Sequence, residues 1–249
     1  MKRWLRLGAA PRVSVVPSRP LALVYRGRRR VDRACAEAVG DMLRASSWHF
    51  DVEYVGPRER RKLSAATLAG AALYAQPGGG TLEAAYQRLR RRAPEVRDYV
   101  ASGGRYAGFC LGGYLAGATP GFDLLPGDTD RYIDLPRAEV THDGDAIIPV
   151  TWRGRSTPMY VQDAPHFIMH SAGQVDVIAR YTNGAVAALV SPYGHGRVAV
   201  VGPHPEATAD WYDDLGVPSL AREGWALAHD LIDAVMQPHP SSVSERLGS

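Results

Sequence analysis

At 249 residues, 45% of them apolar, the chain is long enough to bury a substantial core, yet no tract approaches the ~18 consecutive apolar residues that span a bilayer. With Cys35 and Cys110 as the only cysteines, a disulfide framework is excluded, and without any CxxC pair neither a metal nor another cofactor is expected. The formal charge of +3 comes with basic clusters at 26–33, 58–62 and 88–92, but no aromatics are interleaved for base stacking, so they read as solvated helix faces and not as a nucleic-acid surface.

The basic start, residues 1–19, is broken by Arg6, Arg12 and Arg19 where a signal peptide needs an apolar core, so it reads as a leader and the protein as cytoplasmic. PLALVY (20–25) has strand length, and the helical spacing of VDRACAEAVGDMLR (31–44) buries Cys35 as a small core residue. FDVEYV (50–55) alternates as a second strand, and AALYAQ (71–76) is a third that stops at PGGG (77–80). Thr81 is a candidate N-cap for TLEAAYQRLRRR, and Pro94 restarts a helix that ends at Gly103 and Gly104. YAGFC (106–110) is the next strand, and LGGYLAGA begins a helix immediately after Cys110.

Alternating strands and helices predict an α/β fold, a mostly parallel sheet flanked by helices. From about 122 to 201 the signals turn to strands and turns: AEVTH, AIIPVTW, PMYV, VDVIARY, AVAALV and GRVAVV. An additional β-rich part is therefore expected in the second half, followed by a last amphipathic helix at about 219–236. One domain is expected over 20–236, with 237–249 as a polar, flexible tail.

Three short segments carry chemistry. Gly108 and Gly112 flank Cys110 as G-x-C-x-G, the residue pattern of a sharp strand-to-helix turn that lifts a nucleophile above a sheet. Such a turn aims the N–H groups of Leu111 and Gly112 toward the thiol; a buried cysteine at a tight turn is the plainer alternative. In GPHPE, His204 and Glu206 are two apart, so an extended segment puts both side chains on one side, a carboxylate able to orient a general base. In QPGGG, successive glycines let main-chain N–H groups approach a ligand. In a parallel sheet all three segments fall on the carboxyl edge.

The order of these motifs resembles the class I glutamine amidotransferase-like superfamily. YAQPGGG, YVASGGRYAGFCLGGYLAGA and GRVAVVGPHPE look more narrowly like the biotin-protein ligase N-terminal domain family. That resemblance implies a flavodoxin-like three-layer sandwich, Cys110 as nucleophile, His204 as general base and Glu206 as its orienting carboxylate. It also implies oxyanion-hole N–H groups from Gly79 or Gly80 and from Leu111. Members that hydrolyse glutamine commonly carry Gln four residues after the nucleophile; here Tyr114 stands there, which argues against ordinary glutaminase activity.

Gln76, Tyr114, Asp163 and His166 are candidate substrate-binding residues, with a structural loop as the alternative for 159–170; Asp210 and Trp211 are weaker candidates to flank the cleft. The expected activity is amide or acyl-bond hydrolysis or transfer on a small-molecule or peptide substrate, with no membrane or nucleic-acid partner. The rival is a binding or regulatory module that keeps the fold without turnover. Redox or carbonyl chemistry at the cysteine is a third option, which the retained His204 and Glu206 argue against.

Overall fold

The computed structural model describes residues 19–170, 174–213, 215–217 and 220–238; the expected leader and most of the expected tail lie outside them. The first half runs β1 (Leu21–Tyr25), α1 (Arg30–Ala45), β2 (Asp51–Val55), α2 (Ala65–Leu68), β3 (Leu73–Gln76), α3 (Leu82–Leu89), α4 (Ala93–Ala101), β4 (Arg105–Phe109) and α5 (Leu111–Ala116). The second half adds β5 (Gly127–Arg131), β6 (Ala146–Trp152), β7 (Arg155–Val161), β8 (Pro165–Met169), β9 (Asp176–Tyr181), β10 (Val186–Tyr193) and β11 (Gly196–Val201), then α6 (Ala209–Asp213) and α7 (Leu220–Met236).

All strands join one mixed sheet whose main path is β2-β1-β3-β4-β11-β10-β9-β6-β7, with β8 pairing β10 and β5 pairing β8. From β2 to β11 every pairing is parallel; from β11 outward every pairing is antiparallel. The strand–helix alternation of the first half produces the parallel half, because each crossover returns the chain to the same edge. The hairpin-rich second half extends the sheet from β11.

The parallel strands are apolar on both sides, as burial under two helical layers requires. On one face Val24, Ala75, Phe109 and Val201 pack with Val39, Met42 and Leu43 of α1 and Leu231, Ile232 and Val235 of α7. On the other, Leu23, Tyr74, Tyr106 and Val200 pack with Leu89 of α3, Val96 and Val100 of α4 and Leu115 of α5. Among the described residues no helix is long and apolar enough to cross a membrane.

Several local expectations differ from the structure. AEVTH (138–142) is not a strand: it follows a short 3-10 turn, and the Glu139 N–H donates to the Tyr132 hydroxyl instead of a ladder. GDTDR, for which the sequence predicts no element, and PHFIM, within the segment given a loop alternative, are β5 and β8; GDTDR shows no apolar alternation, and its partner strand supplies the pairing. Thr81 occupies the N-cap backbone position of α3, but its side chain makes no cap bond.

Candidate functional site

β4 lies between β3 and β11, with Gln76 level with Gly108 and Val201 level with Phe109. The chain therefore leaves three adjacent parallel strands at one edge, into the glycine loop, Cys110 and the Gly202–Glu206 segment. Cys110 takes φ 47° and ψ −104°, a conformation costly for a residue with a Cβ. Its N–H donates to the Val201 carbonyl at 2.9 Å, and its own carbonyl accepts from the Tyr114 N–H at 3.0 Å.

Both glycines of the G-x-C-x-G turn are sterically required. A Cβ at Gly108 would stand 2.4 Å from the Gly112 carbonyl oxygen, and one at Gly112 would stand 1.8 Å from that of Gln76. The turn is thus pressed against the end of β3, bringing the glycine loop alongside Cys110.

His204 and Glu206 sit in the interior, 3% and 0% exposed. The ring Nδ1 is 2.9 Å from Glu206 Oε1, while Oε2 has no partner. The His204 N–H donates to the Tyr160 carbonyl at 2.8 Å, and the Tyr160 and Trp211 rings approach the imidazole edge-on. Burial opposes charge on the imidazole, but the Cys110 sulfur and the Glu206 carboxylate outweigh it and hold the pKa well above the usual histidine range.

Gly78 is the contact point that sequence reasoning missed. The position of a Cβ there lies 3.0 Å from His204 Cε1, 3.5 Å from Cys110 Cβ and 3.7 Å from Cys35 Sγ. At Gly79 and Gly80 that direction faces Asp32 and Arg29, at the start of α1. Gly79 and Gly80 have φ +107° and +77°, the left-handed region that glycine tolerates. Gly78, Gly79 and Leu111 line a small, partly open pocket of about 10 Å³ beside Asp32. Cys35 is buried as expected, and its burial, with the Glu206 and Cys110 charges nearby, pushes the thiol pKa well up.

The candidate substrate residues separate. Gln76 is turned away, its side-chain carbonyl accepting from the Tyr74 hydroxyl at 2.7 Å, which suits a support for the loop. Tyr114 is 8% exposed, with a hydroxyl that has no partner. Asp163, at φ +45°, accepts from Arg131 Nε at 2.9 Å. The preceding residue, Gln162, places its main-chain oxygen 3.6 Å from Cys110 Sγ, close enough to accept from the thiol. Neither Gln162 nor Arg131 belongs to a motif, so no sequence signal pointed to them.

His166 is buried on β8, where desolvation lowers its pKa. With His170 it has the HxxxH spacing that joins two ligands on a helix, but on a strand residues four apart are separated by about 13 Å. Trp211 reaches His204, whereas Asp210 accepts from the Thr208 hydroxyl. Among the described residues no group of three or more His, Cys, Asp or Glu is placed to hold a metal.

A family model described as "Biotin-protein ligase, N terminal" matches residues 21–137, a span that contains the glycine loop and Cys110 and ends before His204. The imidazole glycerol phosphate synthase subunit HisH of Rhodopirellula baltica is 30% identical over 154 residues, covering 57% of this chain and 71% of that protein. HisH of Cyanothece sp. (strain PCC 7425) is 26% identical over 147 residues, covering 54% of this chain and 70% of its own length. Among solved structures, cytoplasmic protein STM1381 of Salmonella typhimurium LT2 superposes with a TM-score of 0.58 at 15% identity, over 87% of this chain and all of that one.

Proposed function

Because the chain belongs to the biotin-protein ligase N-terminal family, within the class I glutamine amidotransferase-like proteins, we propose that it is a cysteine-nucleophile enzyme acting on an amide or other acyl bond. The observation that carries this reading is the setting of His204. Its Nδ1 is held by a fully buried carboxylate, and its ring and Cys110 both lie against Gly78.

In this mechanism His204 takes the thiol proton before attack, as its raised pKa favours, and the Cys110 thiolate attacks the substrate carbonyl carbon. The oxyanion is held by the N–H of Leu111 and by that of Gly79 or Gly80. As the tetrahedral adduct collapses, His204 returns the proton to the leaving group and a thioester remains on Cys110. Water or an amine then takes the acyl group, with His204 again acting as base. Glu206 keeps the ring oriented throughout, the part a carboxylate plays in hydrolytic triads. Tyr114, Asp163 and His166 are assigned to the substrate side, with Gln76 beneath the loop. Tyr114, in place of the glutamine common in glutaminases, turns the assignment away from ordinary glutamine hydrolysis.

A second reading, a binding or regulatory module without turnover, is favoured by one observation: Cys110 is 8% exposed and its sulfur faces the Gln162 carbonyl. One experiment separates the two. The protein is incubated with activated amides and esters near neutral pH and followed by intact mass, with Cys110→Ala as control. An acyl adduct confined to Cys110 supports the enzyme. No adduct supports the module, and equal turnover by the variant removes Cys110 as the nucleophile. An adduct released only by added amines identifies acyl transfer.

A further inference from the structure

On the side of Gln162 the groups around Cys110 are hydrogen-bond acceptors; the donors, the loop N–H groups and the His204 ring, belong to the proposed oxyanion hole and base. The Gln162 carbonyl lies against the sulfur, and the Gln162 side chain donates to Asp145 Oδ1 at 2.7 Å. Asp163 follows, at a left-handed φ. Tyr114, one helical turn beyond Cys110, is nine-tenths buried with its hydroxyl unpartnered. Burial first, then the charges of Asp163, Cys110 and Asp130, keep that phenol protonated, with Arg131 opposing them.

Arg131 is itself engaged, with Nε on Asp163 at 2.9 Å and Nη1 3.7 Å from Asp134. Three carboxylates, Asp130, Asp134 and Asp163, stand by this arginine, Asp130 accepting from its main-chain N–H at 2.8 Å. That excess lies in a chain of net charge +3, and Arg29 of the 26–33 cluster stands beside Gly80 at the glycine loop.

We propose that the entrance over Cys110 selects substrates carrying a cationic donor group, an ammonium or amidinium, within a few ångströms of the reacting carbonyl. The inference rests on Cys110 being the reacting thiol. An ammonium group has donors and no acceptor, the complement of the Gln162 carbonyl, the Asp163 carboxylate and the Tyr114 oxygen. An anionic acyl donor meets the carboxylate excess and an arginine already paired. A neutral amide gains the hydrogen bonds but not the charge term, which is strengthened where water is excluded.

The test uses two thiol reagents with the same reacting group and opposite charge, 2-aminoethyl and 2-sulfonatoethyl methanethiosulfonate. Each forms a mixed disulfide with Cys110 and expels methanesulfinate, read by intact mass, with Cys110→Ser marking the site. At low ionic strength the cation-to-anion rate ratio, divided by that of the neutral thiol N-acetylcysteine amide, is expected to be about 10 or more and to fall with added salt. Asp163→Asn and Asp130→Asn lower the ratio, and Arg131→Gln raises it.

A ratio equal to that of the free thiol, or favouring the anion, overturns the proposal and leaves the nucleophile reading standing. If neither reagent reaches Cys110 in the folded protein while both modify it in denaturant, both readings fall.

Discussion

Nδ1 of His204 lies 2.9 Å from Oε1 of Glu206, and the carboxylate is completely shielded from water. A buried carboxylate with one partner is costly unless that partner carries positive charge for part of its cycle. The pair is therefore expected to act as a unit, and removing either member leaves the other wrongly charged.

Replacing His204 with Ala is expected to slow alkylation of Cys110 by iodoacetamide at pH 7 by about 10²–10⁴-fold, the usual worth of a general base. Glu206→Gln should produce a loss of the same order without changing the circular dichroism spectrum. Unchanged alkylation in both variants would detach Cys110 from the His204–Glu206 pair.

The pH response follows from the raised His204 pKa. A histidine whose folded pKa exceeds its unfolded value of about 6.5 stabilises the fold fully below that pH and loses the contribution as pH rises through the folded value. Imidazole NMR should show His204 still protonated at pH values where exposed histidines are neutral. Cys110→Ala removes one of the two supporting groups and should move the titration midpoint down. A midpoint near 6.5 in wild type contradicts this account.

Gly112→Ala drives a methyl into the Gln76 carbonyl, at a position with 1.8 Å available. Overpacking of this kind costs about 1–3 kcal/mol, read as a lower urea midpoint. Gly78→Ala is milder for the fold, since its nearest neighbour would be 3.0 Å away, but that neighbour is the His204 ring. It should reduce Cys110 reactivity more than it reduces stability. Gly70→Ala, with open space around it and no left-handed φ, is the control for steric crowding.

Tyr114→Phe deletes a buried hydroxyl that has no partner. Relieving an unpaired buried polar group should stabilise the protein by about 1 kcal/mol. A destabilised variant would show that the hydroxyl is hydrogen-bonded in solution.

Most helices and strands of the parallel half were legible because several are runs of one periodicity closed by glycine or proline, as AALYAQ is by PGGG; α2, in the small-residue segment SAATLAG, has no such pattern. Cys110, His204 and Glu206 were legible for the same reason: they leave strand ends, and strand ends are where patterns stop. β5 was not, because GDTDR is polar on both sides and pairs only through β8, a register that no local pattern encodes. Gln162 acts through its main-chain oxygen, which any residue type carries. Gly78 was hidden among three equivalent glycines, and only their directions in space tell it from Gly79 and Gly80.

β11 is the last strand in the chain, yet it is inserted between β4 and β10, hydrogen-bonded on both sides. His204 and Glu206 follow directly from it. During synthesis from the N-terminus, Cys110 and the glycine loop emerge long before the groups proposed to activate the thiol. Only when β11 closes the gap between the parallel and antiparallel halves is the imidazole delivered to the sulfur. On the proposed mechanism the sheet thus works as a safety catch, keeping a nascent thiol unarmed until nearly all of the fold is in place.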